Sequence, residues 1–340
     1  MATYKGIQGY SVQNLSSDPG TLANVVGQLW YNSGSGKFKV SVQSAGTWAS
    51  GTSLLAAKQA PGGAGTQTAA IAFGGLLTPA VTANTESFNG TSWTEVNDMG
   101  TGRYDGGSAG TQTAALGYAG TVFPSTPTAL TEEWDGTSWT AKNAMTTARN
   151  GLASFGTSTA AVGAGGAAPP AQTAVEEWNG TSWSAGTALS VARKNCGGFG
   201  ILTSGVITGG RRASPAPEAG WVGTEEYDGT TWTEGGDLNT GSYQLTTTGK
   251  TQTAGLIFAR NTGGYPGPTV TSQKTEEYNG TAWTEVADMG DAARFWGSMN
   301  IGPSTAALCA GGGLGGGAGP TAIMEEWAGA PVSAKTVTVS

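Results

Sequence analysis

The side chains best suited to chemistry are basic residues that recur once in most periods of a repeated sequence. They are Lys58, Arg103, Arg149, Arg193 and Arg294. Such a set predicts either a cationic ring around a channel or a series of ion pairs with the first glutamate of a predicted strand. Those glutamates are Glu86, Glu132, Glu176, Glu276 and Glu325. We expect the ion pairs, because only 11% of the residues are charged and a buried unpaired charge is costly.

Other residue types argue against catalysis. The 340-residue chain has no histidine, and histidine is the commonest general base and metal ligand. Its two cysteines, Cys196 and Cys309, lie in predicted strands, where we expect small buried side chains rather than a disulfide or a nucleophile. The glycine-rich stretch 311–319 lacks the Lys-Ser/Thr pair of a phosphate-binding loop. We therefore expect no enzyme, no cofactor and no metal site.

The elements that position these residues come from an internal repeat. Its motif is Glu-Glu, an aromatic residue, Asp or Asn, Gly, Thr, a small residue and Trp. The aromatic residue falls at Phe88, Trp134, Trp178, Tyr227, Tyr278 and Trp327, in steps of 46, 44, 49, 51 and 49 residues. Periods of this length are typical of four-stranded propeller blades, and 58 glycines with twelve tryptophans suit a packed all-β chain.

Each period reads as four short strands. A Gly-Thr-Gln-Thr turn joins the first two strands, and an Asp-Gly or Asn-Gly turn, a strong hairpin signal, joins the last two. Three of these turns form glycosylation sequons, at Asn89, Asn179 and Asn279, which turn chemistry explains. The last copy lacks its Trp strand, whereas Trp48 stands early with no Glu-Glu-aromatic segment before it. The sequence thus predicts a six-bladed propeller whose last blade is completed by the strand containing Trp48.

The same motif, with Met145-x-x-x-Arg149 and the Gly165-Gly166 pair, resembles the kelch repeat over about residues 46–329. This resemblance implies a six-bladed kelch-like β-propeller. The fifth period departs from it, with Ala259-Arg260 in place of Gly-Gly and Ser242-Tyr243 where the basic residue is missing. The register of that period is therefore the least secure.

Other segments resemble the kelch-like virion and tail-fibre proteins of marine bacteriophages. They are Tyr4 to Tyr10, Gly27 to Asn32, Gly36 to Lys39 and the near-verbatim Gly-Thr-Gln-Thr-Ala copies. The resemblance implies a non-enzymatic structural protein of the virion, assembled in the host cytoplasm. It implies a tail-fibre or spike adhesin that binds a host surface glycan or protein; the alternative is a purely architectural part, a capsid decoration or tail connector.

The predicted connections divide into two sets on opposite sides of the repeat. Turns within hairpins are short and uniform, whereas loops from the second to the third strand vary and share a side with the links between blades. Variable loops on one side of a repeat protein usually carry binding sites. The candidate ligand-binding residues on that side are Arg211, Arg212, Trp221, Tyr265, Phe123 and Trp296. Arginine beside aromatic rings suits sugar or protein surfaces, and loop anchoring is the alternative.

The chain divides into an N-terminal hairpin module at 1–45, the propeller at 46–330 and a C-terminal strand at 331–340. Residues 335–340 alternate in a way that suits pairing with the hairpin at 28–42. This module is expected either to plug the propeller or to dock onto other virion proteins, and a homo-oligomer is also possible. A net charge of −7 argues against nucleic acid, and no apolar run reaches the length of a membrane span.

Overall fold

The computed structural model describes residues 12–19, 27–43, 45–168, 170–212, 220–262, 270–290, 294–295, 301–314, 319–329 and 332–337. This part of the chain is all-β and contains no helix. Two compact units are present: Thr47–Trp327 forms one, and Met1–Gly46 with Ala328–Ser340 forms the other. The all-β class agrees with the sequence prediction.

The larger unit contains six small antiparallel sheets, numbered here in chain order. Sheet 1 consists of Gly62–Thr66, Ala69–Phe73, Thr85–Phe88 and Trp93–Val96. Sheet 2 consists of Gly107–Thr111, Ala114–Tyr118, Thr131–Trp134 and Trp139–Lys142. Sheet 3 consists of Ala153–Gly156, Ala161–Ala164, Val175–Trp178 and Trp183–Ala185.

Sheets 4 and 5 repeat this arrangement, and sheet 6 takes a strand from earlier in the chain. Sheet 4 consists of Gly197–Ile201, Ser204–Thr208, Thr224–Tyr227 and Trp232–Glu234. Sheet 5 consists of Thr246–Thr251, Ala254–Phe258, Thr275–Tyr278 and Trp283–Val286. Sheet 6, as far as it is described, consists of Ala306–Ala310, Met324–Ala328 and Thr47–Ser50.

Four two- or three-stranded ribbons accompany these sheets. They are Thr121–Val122 with Thr126–Pro127, Arg193–Lys194 with Arg211–Arg212, Arg260–Asn261 with Thr271–Ser272, and Arg294–Phe295 with Gly313–Leu314 and Gly319–Pro320. Each lies in the part of its repeat that precedes the first strand or follows the second.

The Asp-Gly and Asn-Gly turns form as the sequence predicts. In sheet 1 the Oδ1 atom of Asn89 accepts hydrogen bonds from the amides of Thr91 (3.0 Å) and Ser92 (2.9 Å). Gly90 has φ of 91°, a left-handed conformation that glycine adopts without a Cβ clash. The same side chain-to-backbone turn recurs at Asp135, Asn179, Asp228 and Asn279.

The core lies between sheets rather than within them. Buried clusters join sheets 1 and 2, 2 and 3, 3 and 4, 4 and 5, 5 and 6, and also sheets 6 and 1. At the first of these junctions Phe73 contacts Trp139 with ring centroids 4.7 Å apart. The Trp139 indole also donates a hydrogen bond to Thr85 Oγ1 of sheet 1 (3.0 Å). Each sheet therefore depends on its neighbours to bury its apolar side chains.

The early strand Thr47–Ser50 completes sheet 6, as predicted. It pairs with Met324–Ala328, and the rings of Trp48 and Trp327 lie 5.5 Å apart. Trp48 also contacts Phe258 of sheet 5 at 4.9 Å and donates a hydrogen bond to Thr275 Oγ1 (2.9 Å). Sheet 6 contacts sheet 1 through a parallel bridge between Ile301 and Gly65. Residues far apart in the sequence are thus neighbours at this sheet.

Sheet 5, whose repeat departs from the motif at other positions, has an irregular register. Its first two strands shift register between Gly249 and Thr251, where the other four-stranded sheets of this unit pair without a shift. An extra residue in one strand of an antiparallel pair is a β-bulge, which increases the local twist. The first strand of this sheet accordingly has six residues, whereas its counterparts have four or five.

The smaller unit is one four-stranded sheet in the order Gln13–Leu15, Leu29–Asn32, Lys37–Gln43 and Val332–Thr336. The predicted hairpin is its centre, and the predicted C-terminal strand pairs with it in antiparallel fashion at Val332–Thr336. Trp30 is fully buried, and the carboxylate of Asp18 accepts hydrogen bonds from Trp30 (3.1 Å) and Asn32 (2.6 Å).

Candidate functional site

The recurring basic residues form ion pairs within their own repeats. Lys58 contacts Glu86 (2.8 Å), Arg103 contacts Glu132 (2.6 Å), and Arg149 contacts Glu176 (3.0 Å). Arg193 pairs with Glu225, a glutamate that the sequence analysis omitted from the set of partners. All of these side chains are buried, and burial lowers the pKa of Arg149 while the charge of Glu176 raises it. The side chain of Arg294 lies outside the described part of the structure.

The same glutamates hold the loop that precedes each basic residue. Each carboxylate also accepts a hydrogen bond from a backbone amide of that loop. The donors are Gly100 to Glu132 (2.6 Å), Thr146 to Glu176 (2.6 Å) and Ser190 to Glu225 (2.9 Å). Each donor follows a buried Met or Leu that packs between sheets. Both carboxylate oxygens are thus engaged, so this network serves structure. These four basic residues therefore do not form the alternative, a cationic ring around a channel.

The fifth repeat reaches the same ion pair by another route. Its basic position is taken by Ser242, and Arg260 stands where the other repeats have a glycine, such as Gly120 or Gly210. Arg260 contacts Glu276 (2.5 Å) and donates a hydrogen bond to Ser242 Oγ (3.3 Å). The departure of this repeat from the pattern is therefore a relocation of the positive charge, and not its loss.

The second-to-third-strand loops lie beside the links between sheets, as predicted. In sheets 1, 2, 3 and 5 the two segments meet at bridges: Gln59 with Leu76, Tyr104 with Thr121, Asn150 with Ala167, and Tyr243 with Asn261. In sheet 4 they form the ribbon of Arg193–Lys194 and Arg211–Arg212. We call this side of the sheets the loop side, and the side with the hairpin turns the turn side.

Three of the predicted ligand-binding residues meet at the ribbon of sheet 4. The guanidinium of Arg212 lies over the ring of Trp221, 5.1 Å from its centroid, and that of Arg193 lies 4.1 Å from the same ring. Arg211 lies over the ring of Tyr243 at 3.6 Å. Arg211, Arg212 and Trp221 are each partly exposed, which makes this the most developed polar and aromatic cluster on the loop side of the described sheets.

Of the remaining candidates, Phe123 is the one that the structure describes, and it lies apart from this cluster. Phe123 is 67% exposed and lies in the loop of sheet 2, between Thr121–Val122 and Thr126–Pro127. Tyr265 and Trp296 fall outside the described residues. Tyr243 and Lys194 were not among the ligand-binding residues predicted from the sequence. Tyr243 follows the position that the repeat reserves for a basic residue, and this departure was the available signal.

A second position on the loop side brings polar residues from several sheets together. It lies two residues after the basic position and is left-handed at Ala60, Asp105, Gly151, Asn195 and Gln244, with φ between 49° and 60°. The amide of each residue after Ala60 donates to the carbonyl of the one before it, for example Gly151 to Asp105 (3.0 Å) and Asn195 to Gly151 (2.6 Å). Asp105 is only 6% exposed, and burial raises its pKa to about 8.

Both cysteines are buried and free of disulfides. Burial raises the pKa of Cys196 to about 11, which leaves its thiol protonated and weakly nucleophilic at neutral pH. In the part of the chain that the structure describes, no three His, Cys, Asp or Glu side chains are grouped in a way that would hold a metal ion.

Comparison of the chain with known protein families and with curated proteins gives no match. The described residues include no helix of the length and hydropathy needed to cross a membrane.

Proposed function

We propose that this chain is a non-enzymatic recognition protein of a bacteriophage particle, built as a six-bladed kelch-like β-propeller, which binds a host surface glycan or protein through its loop side. The observation that carries the proposal is the cluster of Arg193, Arg212 and Trp221, where two guanidinium groups lie over one partly exposed ring. Such groups are typical of sites that contact polar surfaces.

The arrangement of the six sheets supports the propeller. Buried clusters join each sheet to the next and sheet 6 to sheet 1, which is the set of junctions that a closed ring of blades requires. The pairing of Thr47–Ser50 with Met324–Ala328 supports closure of the ring by an early strand. Closure removes exposed blade edges that would otherwise invite aggregation.

The place in a virion rests on the resemblance of Tyr4 to Tyr10, Gly27 to Asn32 and the Gly-Thr-Gln-Thr-Ala copies to phage virion proteins. In this proposal the propeller presents its loop side to the host, and the smaller unit joins other virion proteins. Recognition belongs to the loop side because the turn side is alike from repeat to repeat and offers little that is specific to one ligand.

The test is adsorption of particles that carry Trp221→Ala, compared with Ile201→Ala. Ile201 belongs to the same sheet, is 44% exposed and lies at the hairpin turn of Gly197–Ile201 and Ser204–Thr208, on the turn side. We expect Trp221→Ala to reduce the adsorption rate at least tenfold and Ile201→Ala to leave it unchanged. Denaturation midpoints of the purified variants show whether each is folded.

Phe123→Ala provides a second variant, because Phe123 is highly exposed and its removal disturbs little packing. Normal adsorption by particles with both Trp221→Ala and Phe123→Ala would contradict the adhesin proposal. A loop side buried against another virion protein in the intact particle would favour the architectural alternative.

A further inference from the structure

The ribbon of sheet 4 concentrates positive charge on an acidic protein. The chain has 16 Lys and Arg residues against 23 Asp and Glu, yet all four positions of this ribbon are basic. Arg193 lies opposite Arg212, and Lys194 lies opposite Arg211. Like charges directly across a pair of strands are destabilising, so the placement of Arg193 opposite Arg212 costs stability unless an opposite charge lies near them.

Glu225 offsets the charge of Arg193. Glu225 pairs with Arg193 and also accepts the amide of Ser190. Burial lowers the pKa of Arg193, and the nearby charge of Arg212 lowers it further while Glu225 raises it. Among the residues that the structure describes, no carboxylate forms an ion pair with Arg212. The repulsion between the two arginines would be relieved by a bound anion.

The aromatic rings fix the guanidinium groups for such a role. Arg212 lies over Trp221 and Arg211 lies over Tyr243, and Tyr243 is fully buried. A guanidinium held over a ring keeps its N–H donors in one plane, where they match the two oxygens of a carboxylate or sulfate. Because two arginines lie over Trp221, its ring is better suited to position them than to stack on a sugar.

We propose that this basic ribbon, residues 193–194 and 211–212, binds the carboxylate or sulfate groups of an acidic polysaccharide. The inference rests on the proposed function, since it names the ligand class of the same site. A saccharide with spaced charges fits better than nucleic acid, because the net charge of −7 repels a dense polyanion that extends beyond the ribbon. Lys194 and Arg212 would contact the anion, with Trp221 as a positioning residue.

The experiment measures binding of the full chain to four probes at 50 mM and 300 mM NaCl. They are dextran sulfate, polygalacturonate, neutral dextran and a 20-base-pair DNA duplex. We expect binding to at least one acidic polysaccharide, none to neutral dextran, and weaker binding at the higher salt, where charges are screened. Tighter binding to DNA than to both polysaccharides, or equal binding to neutral dextran, would overturn the inference.

The double variant Lys194→Gln/Arg212→Gln removes two charges from the ribbon. Its control is Lys142→Gln/Lys274→Gln, which changes the net charge equally but removes surface ion pairs with Glu133 and Glu285. We expect the ribbon variant to bind the acidic polysaccharide at least tenfold more weakly and the control to bind within twofold of the native chain. Equal affinities of the two variants would contradict the inference.

A conservative variant separates charge from geometry. Arg212→Lys keeps the charge but loses the planar fork, and we expect affinity between those of the native chain and Arg212→Gln. Adsorption of particles with Trp221→Ala tests the proposed function independently. Loss of adsorption by that variant, together with no preference of the native chain for acidic probes, would leave the recognition proposal standing and the anionic ligand rejected.

Discussion

At the scale of single residues, the buried carboxyl of Asp105 makes stability depend on pH. Burial raises its pKa from 3.8 to about 8, so between these values the folded chain holds a proton that the unfolded chain has released. The free energy of unfolding therefore falls as pH rises through this window. Each unit of the shift corresponds to about 1.4 kcal/mol, so a contribution of several kcal/mol is expected.

We expect Asp105→Asn to be more stable than the native chain, by a small amount at pH 5 and by a larger amount at pH 9. Asparagine keeps the shape and tolerates the left-handed backbone at this position. Urea denaturation at the two pH values measures the effect. Asp135→Asn is the matched control, because hydrogen bonds from Ser138 and Thr137 lower the pKa of Asp135 and its difference from native should not change over this range. A pH-independent effect of Asp105→Asn would contradict the argument.

The ion pair of Arg103 with Glu132 provides a second test at this scale. Glu132→Gln leaves a buried guanidinium without its counter-charge, and breaking a buried pair in this way costs about 3–5 kcal/mol. The neighbouring Glu133 pairs with Lys142 at the partly exposed surface, where such pairs contribute about 0–1 kcal/mol. We expect urea denaturation to show a large loss for Glu132→Gln and a small one for Glu133→Gln. Similar losses for both would refute the structural role of the network.

These ion pairs were predictable because both partners recur at fixed places in the repeat. The cluster at Trp221 was predictable only in part. The variable loops indicated the side on which Arg211, Arg212 and Trp221 lie, but their stacking depends on the pairing of Arg193–Lys194 with Arg211–Arg212, which has no counterpart in the repeat motif. Tyr243 was missed because it belongs to the next repeat and reaches Arg211 only through the contact of neighbouring sheets.

At the scale of elements, the strand Thr47–Ser50 contributes to sheet 6 as a fourth strand contributes elsewhere. Trp48 contacts Phe258 and donates to Thr275, as Trp139 contacts Phe73 and donates to Thr85. We expect Trp48→Ala and Trp139→Ala to lower the free energy of unfolding by similar amounts, about 3 kcal/mol each. A negligible effect of Trp48→Ala in urea denaturation beside a large one of Trp139→Ala would show that the strand adds little.

The hairpins and the closing strand followed from local signals, namely the Asn-Gly and Asp-Gly turns and the displaced Trp48. The register of sheet 5 did not, because the bulge between Gly249 and Thr251 has no turn residue that marks it. The ion pair of Arg260 was likewise not predictable from the repeat. Arg260 and Arg193 occupy different places in their repeats, and only the fold shows that they reach the equivalent glutamates, Glu276 and Glu225.

At the scale of the whole molecule, each sheet depends on the next for its apolar contacts, and the sixth depends on the first. The repeat period indicated this dependence, since one such unit cannot bury its own apolar side chains. The sequence offered less about the smaller unit. The pairing of Lys37–Gln43 with Val332–Thr336 required a segment at the far end of the chain, and the paired strand begins before the alternating residues 335–340 that indicated it.

The two pairings between early and late segments determine the order in which the sheets can form during synthesis. A ribosome releases Thr47–Ser50 and Lys37–Gln43 long before their partners Met324–Ala328 and Val332–Thr336 exist. Sheets 1 to 5 draw their strands from consecutive segments and have their partners as soon as each repeat emerges. Both the sixth sheet and the sheet of the smaller unit must wait for the end of translation, when most of the growing chain has already left the ribosome.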